Sequence, residues 1–185
     1  WMILSLKKDI KIKFIDSKNE KLDINDIKKQ ITKNTKVISI AHITNVTGDK
    51  RDIKEIIKIA HKHNILVVID AAQSIPHTKI DVQDLDIDFL AFSAHKMCGP
   101  TGVGILYGKE QLLNNIKPLI YGGGMNASFT NDGIRVYKEL PHLLEAGTPN
   151  IADVIAFGNV IKYIEQIGVD NISKYEQELK IYAIN

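Results

Sequence analysis

Residues 65–69, Ile-Leu-Val-Val-Ile, are an unbroken apolar run that ends on a single carboxylate, Asp70. A run this short and this apolar reads as a strand covered on both faces, the pattern of a parallel sheet between helices. The residues before it support that reading. Over 52–63, Ile53, Ile56, Ile57 and Ala60 recur at helical spacing. Asp52 and Glu55 near the start and His61, Lys62 and His63 at the end suit the helix dipole, and Asn64 punctuates the terminus. Residues 36–41 (Lys-Val-Ile-Ser-Ile-Ala) read as an earlier strand. Strand, helix and strand with short connections make a βαβ unit, which implies a parallel pair and a right-handed crossover.

The pattern continues along the chain. Residues 88–93 and 103–107 read as two further strands, separated by the turn-rich stretch Ala-His-Lys-Met-Cys-Gly-Pro-Thr-Gly. The spacing predicts a short helix over 109–115 and longer helices over 151–167 and 171–183. Residues 121–150 hold many glycines and prolines and show little periodicity; a long irregular segment in a compact protein is usually functional or lies at an interface. The first 35 residues read as a strand from Ile10 to Ile15, a loop and a Lys-rich helix. The fold class is α/β, a mostly parallel sheet with flanking helices.

Composition narrows the function classes. At 185 residues the chain can form one domain or part of a larger one. Apolar residues at 44% with a net charge of +2 exclude disorder for the chain as a whole and give no electrostatic case for nucleic acid. No apolar run is long enough to span a bilayer. The single cysteine, Cys98, leaves no internal disulfide and favours a reducing compartment. The chain opens on Trp1 without a targeting segment, so an incomplete chain is expected. Its 31 Ile, 13 Asn and 22 Lys against 2 Arg fit an AT-rich genome, and few bidentate anion clamps can come from two arginines.

In open α/β sheets ligands sit beyond the carboxyl ends of the strands. Those ends carry Asn45, then Asp70 and Gln73, then Ser93, His95 and Lys96. Asp70 and Lys96 alone are compatible with a simple ion pair. With their neighbours they also match a pyridoxal phosphate site. Such a site needs a lysine for the Schiff base, a carboxylate that keeps the pyridine nitrogen protonated, and hydroxyl and amide donors for the phosphate and ring hydroxyl.

The stretches DAAQ at 70–73, SAHKMCGPTGVGILYG at 93–108, GGGM at 122–125 and EAGTPN at 145–150 resemble the class V aminotransferase superfamily of fold-type I pyridoxal phosphate enzymes. Within it, the sequence is most similar to the group II cysteine desulfurases of the SUF type. The resemblance implies that residues 1–185 are the central part of a large, cofactor-binding domain. An N-terminal segment and a C-terminal small domain are then missing, and the fragment alone is expected to be inactive. It implies that Lys96 forms the Schiff base and shuttles protons. Asp70 holds the pyridinium nitrogen, Gln73 the ring hydroxyl, and Ser93 with His95 the phosphate. Asn45 lies near the substrate carboxylate and ring hydroxyl. Thr148 and a glycine such as Gly122 reach the phosphate of a neighbouring subunit's cofactor, which implies a homodimer with shared active sites.

The implied activity converts L-cysteine to L-alanine and passes sulfur, as an enzyme persulfide, to an acceptor protein for iron–sulfur cluster assembly. The alternatives are a selenocysteine lyase or another lyase or epimerase of the superfamily, and a scaffold fragment without chemistry. Neither nucleic acid nor membrane is an expected partner, and no metal site is. The expected location is the bacterial cytoplasm, with a plastid-type organelle as the alternative.

Other features have plainer readings. Cys98 does not match the sulfur-accepting position and reads as a small packed side chain. His61 and His63 read as solvated at a helix end, the Lys-rich stretch near 28–36 as a solvated helix, and GPTGVG as a tight turn entering a strand.

Overall fold

The computed structural model describes residues 1–17, 21–133 and 135–184. Helix α1 (Met2–Lys7) is followed by extended, irregular chain and by α2 (Ile24–Gln30). Strand β1 (Val37–Ala41), helix α3 (Ile53–Lys62) and strand β2 (Leu66–Asp70) form the βαβ unit. Strand β3 (Phe89–Ser93), a 3-10 turn at Ala94–Met97 and strand β4 (Gly104–Gly108) follow. After them come α4 (Glu110–Leu113), the short strands β5 (Asn126–Phe129) and β6 (Arg135–Tyr137), a 3-10 turn at His142–Leu144, α5 (Ile151–Ile167) and α6 (Val169–Ile184).

The main sheet has the order β1-β2-β3-β4. β1, β2 and β3 are parallel, and β4 runs antiparallel to β3. Ile40, Ile69 and Leu90 are in register across the first three strands and all are buried, so one row of side chains faces the same way. α3 supplies the cover for that row with Ile53, Ile56, Ile57 and Ala60. Each isoleucine removed from water there contributes roughly 1.5–3 kcal/mol. The helix starts where Asp52 accepts the backbone N–H of Glu55 (3.0 Å), a side-chain N-cap. A second apolar cluster joins Ala94, Met97 and Val103 to Phe157 and Ile164 of α5. Phe92 packs against both clusters and links them.

Four sequence expectations change. The Ile10–Ile15 segment forms no strand: it lies at no sheet edge, and Ile10 and Phe14 are exposed. The helix near 28–36 ends at Gln30, where Ile31 turns to extended backbone. The aperiodic 121–150 region contains the antiparallel pair β5–β6, whose register slips between Asn126 and Ser128 and so hides any alternation. His61 is not free in solvent. Its Nε2 lies 2.9 Å from Asp88 and its Nδ1 3.0 Å from Asp86.

Asp88 is the hub of that end of the sheet. It is 2% exposed and accepts the Val67 N–H (2.9 Å), the Lys109 ammonium (2.8 Å) and His61 Nε2 (2.9 Å). Burial raises its pKa, but the bonds from Lys109, His61 and Val67 outweigh burial and hold it below the ordinary carboxylate value. Its stabilisation is therefore present above the usual carboxylate range and is lost only as pH falls through the lowered value. Asp88→Ala leaves Lys109 and His61 half-buried with Asp86 as their remaining partner. The expected cost is about 3 kcal/mol, read as a lower urea midpoint at unchanged m-value.

Candidate functional site

Because β1, β2 and β3 are parallel, their carboxyl ends meet at one edge of the sheet. Ala41 is in register with Asp70, and Asp70 with Ala91. The ladder carries on beyond the strands. The His42 N–H donates to the Asp70 carbonyl (2.9 Å) and the Ala71 N–H to the Ala91 carbonyl (2.9 Å). The three segments that leave this edge hold Asn45, Asp70 with Gln73, and Ser93 with His95 and Lys96.

Two of these residues touch. The Gln73 side-chain amide donates to Asn45 Oδ1. Asp70 is exposed at the strand end, and its Oδ1 accepts the Ala72 N–H (2.9 Å), which fixes the carboxylate on the turn. No ion pair joins Asp70 to Lys96 among the described residues, so the simple ion-pair reading of these two fails.

The 3-10 turn explains how Lys96 is presented. Three residues per turn bring positions 94 and 97 onto one side. Ala94 and Met97 are buried, while His95 and Lys96 face out. Cys98 closes the turn in left-handed backbone (φ 60°) and is exposed, which corrects the expectation of a packed side chain. Gly99 donates to the Ala94 carbonyl (2.9 Å). A Cβ on Gly99 would lie 2.7 Å from that oxygen and 2.7 Å from Phe157 of α5, so only glycine lets the turn sit on the helix.

A second assembly joins the other two motifs. The Gly147 N–H donates to the Gly123 carbonyl (2.8 Å), and a Cβ on Gly122 would come within 3.1 Å of the Gly147 nitrogen. Met125 is buried beneath this contact and its sulfur accepts the Gly122 N–H (3.3 Å). Gly122 and the residue before Thr148 are thus neighbours. Among the described residues no hydrogen bond links either to Asp70, Gln73, Ser93, His95 or Lys96.

His42 also leaves this edge, directly after β1. It is 4% exposed and its Nδ1 has no hydrogen-bond partner. Burial first, then the charge of Lys50, lowers its pKa from 6.5 to about 4.

Two outcomes follow. As pH falls below 6.5 the unfolded chain binds a proton that folded His42 refuses, so stability drops between about 6.5 and 4. The loss, on the order of 2–3 kcal/mol, appears in urea unfolding at stepped pH, and His42→Asn flattens it. Gly99→Ala pushes the turn off Phe157, with an expected loss of about 1–3 kcal/mol, read as a lower Tm.

The aminotransferase class-V family model matches residues 1–185. A probable cysteine desulfurase of Staphylococcus aureus is 46% identical over 184 residues, covering 99% of this chain and 44% of the relative. A cysteine desulfurase of Wigglesworthia glossinidia brevipalpis is 43% identical over 186 residues, covering 100% of this chain and 45% of its own. The chain therefore spans less than half the length of these relatives. Among solved structures, the cysteine desulfurase CsdA of Escherichia coli superposes with a TM-score of 0.94 at 33% identity, covering 99% of this chain and 46% of the other. The apo cysteine desulfurase of Thermococcus onnurineus gives 0.92 at 38% identity, covering 98% and 46%. A family model that matches the whole chain and relatives more than 40% identical along it agree: the chain belongs to the aminotransferase class-V family.

Proposed function

We propose that this chain is the cofactor-binding part of a pyridoxal-phosphate-dependent cysteine desulfurase. The observation that carries the reading is the single sheet edge at which Asn45, Asp70, Gln73, Ser93, His95 and Lys96 leave three neighbouring strands. The donor set fits the cofactor. A carboxylate fixed on its turn, an amide pair and an exposed amine with no carboxylate partner among the described residues are what pyridine, ring hydroxyl and aldehyde require.

When bound, the cofactor supplies an electron sink for the substrate's α-carbon. The chain's residues do the rest in this reading. Lys96 would hold the cofactor through Nζ, and the same amine would take the α-proton. The Asp70 carboxylate keeps a proton on the ring nitrogen. Gln73 and Asn45 orient the ring hydroxyl and the substrate carboxylate, and Ser93 and His95 donate to the phosphate. Gly122 and Thr148, brought close at the Gly147 contact, serve the cofactor of the second subunit in a homodimer. The substrate is L-cysteine. A thiolate takes its sulfur, the carbon–sulfur electrons stay with Cβ, and protonation gives alanine. The persulfide then passes to an acceptor protein for iron–sulfur cluster assembly in a bacterial cytoplasm.

We also propose that residues 1–185 are part of the large domain and that the persulfide-forming cysteine lies outside them. Cys98 sits two residues from Lys96 on the turn that presents it. Apolar side chains in the open support a larger whole, among them Leu119, Ile120, Val154, Ile155 and Tyr182.

The test uses the purified full-length gene product with L-cysteine and a thiol reductant. Alanine and sulfide are expected in equal amounts, and Lys96→Ala abolishes both. Borohydride reduction and peptide mapping place the cofactor on Lys96. Cofactor fixed on Lys96 with no alanine formed moves the reading to another lyase of the family. Reduction that labels no lysine rejects the site.

A further inference from the structure

Asp70 and Gln73 begin the segment Asp70–Thr78, which leaves β2 without forming a regular helix. Something must hold so short a turn in one place. Its inner side is held by its own backbone and by Ser74. The Ala71 carbonyl accepts the N–H groups of Ser74 and Ile75 (both 3.0 Å). The Ser74 carbonyl accepts those of His77 (3.1 Å) and Thr78 (2.9 Å). Ser74 is fully buried, and Ile75 packs on the cluster that contains Phe157 and Ile164.

Besides the Gln73–Asn45 bond at the site, the segment has a polar anchor from much further along the chain. His77 Nδ1 and Glu176 Oε1 of α6 are 2.6 Å apart. α6 buries none of its residues, and only Val169 and Ile172 near its start pack on the second cluster. The first turns of the helix therefore rest on the same apolar cluster as Ile75, and Glu176 further on meets the segment directly. The two side chains are 42% and 39% exposed, so the pair is short but not sealed from water.

We propose that Glu176 is a positioning residue. Through His77 it clamps the Asp70–Thr78 segment to α6 and so sets where the Asp70 carboxylate and the Gln73 amide stand. The inference rests on the pyridoxal phosphate reading above. His77 and Glu176 touch neither cofactor nor substrate in it. Their effect is carried by a turn in which a small shift at His77 propagates through the Ser74 and Ala71 bonds to both site residues.

The experiment titrates pyridoxal phosphate into the apo form of the full-length gene product. The variants are Glu176→Gln, His77→Gln and the double variant, with Lys54→Ala as a control that breaks the exposed Lys54–Asp84 pair elsewhere. Each single variant is expected to raise the cofactor's Kd about threefold, the scale of a half-exposed ion pair. The double variant should be no weaker than either single one, because the two residues act as a unit. The bound cofactor's absorption band should shift in the Glu176 and His77 variants and stay put in Lys54→Ala. Wild-type Kd and spectrum in Glu176→Gln, even with a lower apo Tm, overturn the proposal and leave a structural contact only. A wild-type protein that takes up no cofactor instead rejects the functional reading beneath it.

Discussion

Everything at the site depends on the parallel pairing of β2 with the strands on either side. Parallel strands align their carboxyl ends, so three segments far apart in sequence must leave the sheet along one edge. The register is fixed by burial. Shifting β2 by one residue would turn Val67 and Ile69 away from α3 and expose what is now core. The same burial that stabilises the sheet therefore puts Asp70 beside the turns that carry Asn45 and Lys96.

The two ends of the sheet use polar groups differently. At the amino end of β3, Asp88 is buried and fully engaged by Val67, His61 and Lys109, which locks strand, helix and loop together. At the carboxyl end the polar groups are left largely unspent. Asp70 is held by one backbone N–H, and Lys96 is turned outward on a strained turn above α5. A satisfied network rigidifies, whereas groups without partners are available to a ligand. His42 sits between these regimes: its ring is buried and its Nδ1 has no hydrogen-bond partner.

The second core ties the presenting elements to the C-terminal helices. Phe157 fills the space that Gly99 leaves empty, and its ring lies 6.4 Å from that of Phe92. Ile75 and Met97 join the same cluster, so the segments bearing Gln73 and Lys96 rest on one apolar floor. α5 and α6 thus hold the site from beneath although they contribute no strand-end residue to it.

Sequence alone determined the elements whose periodicity is local. The apolar run at 65–69, the amphipathic spacing at 53–60 and the polar residues directly after each strand depend on neighbours in the chain, and they marked the βαβ unit and Asp70, Gln73, Ser93, His95 and Lys96. Only the tertiary structure decided the rest, because it turns on contacts between residues far apart in sequence. His61 meets Asp88 across 27 positions and His77 meets Glu176 across 99, and no local pattern encodes either pair. Ile10–Ile15 carries a strand-like alternation but finds no sheet edge, and a strand exists only where another strand accepts its hydrogen bonds.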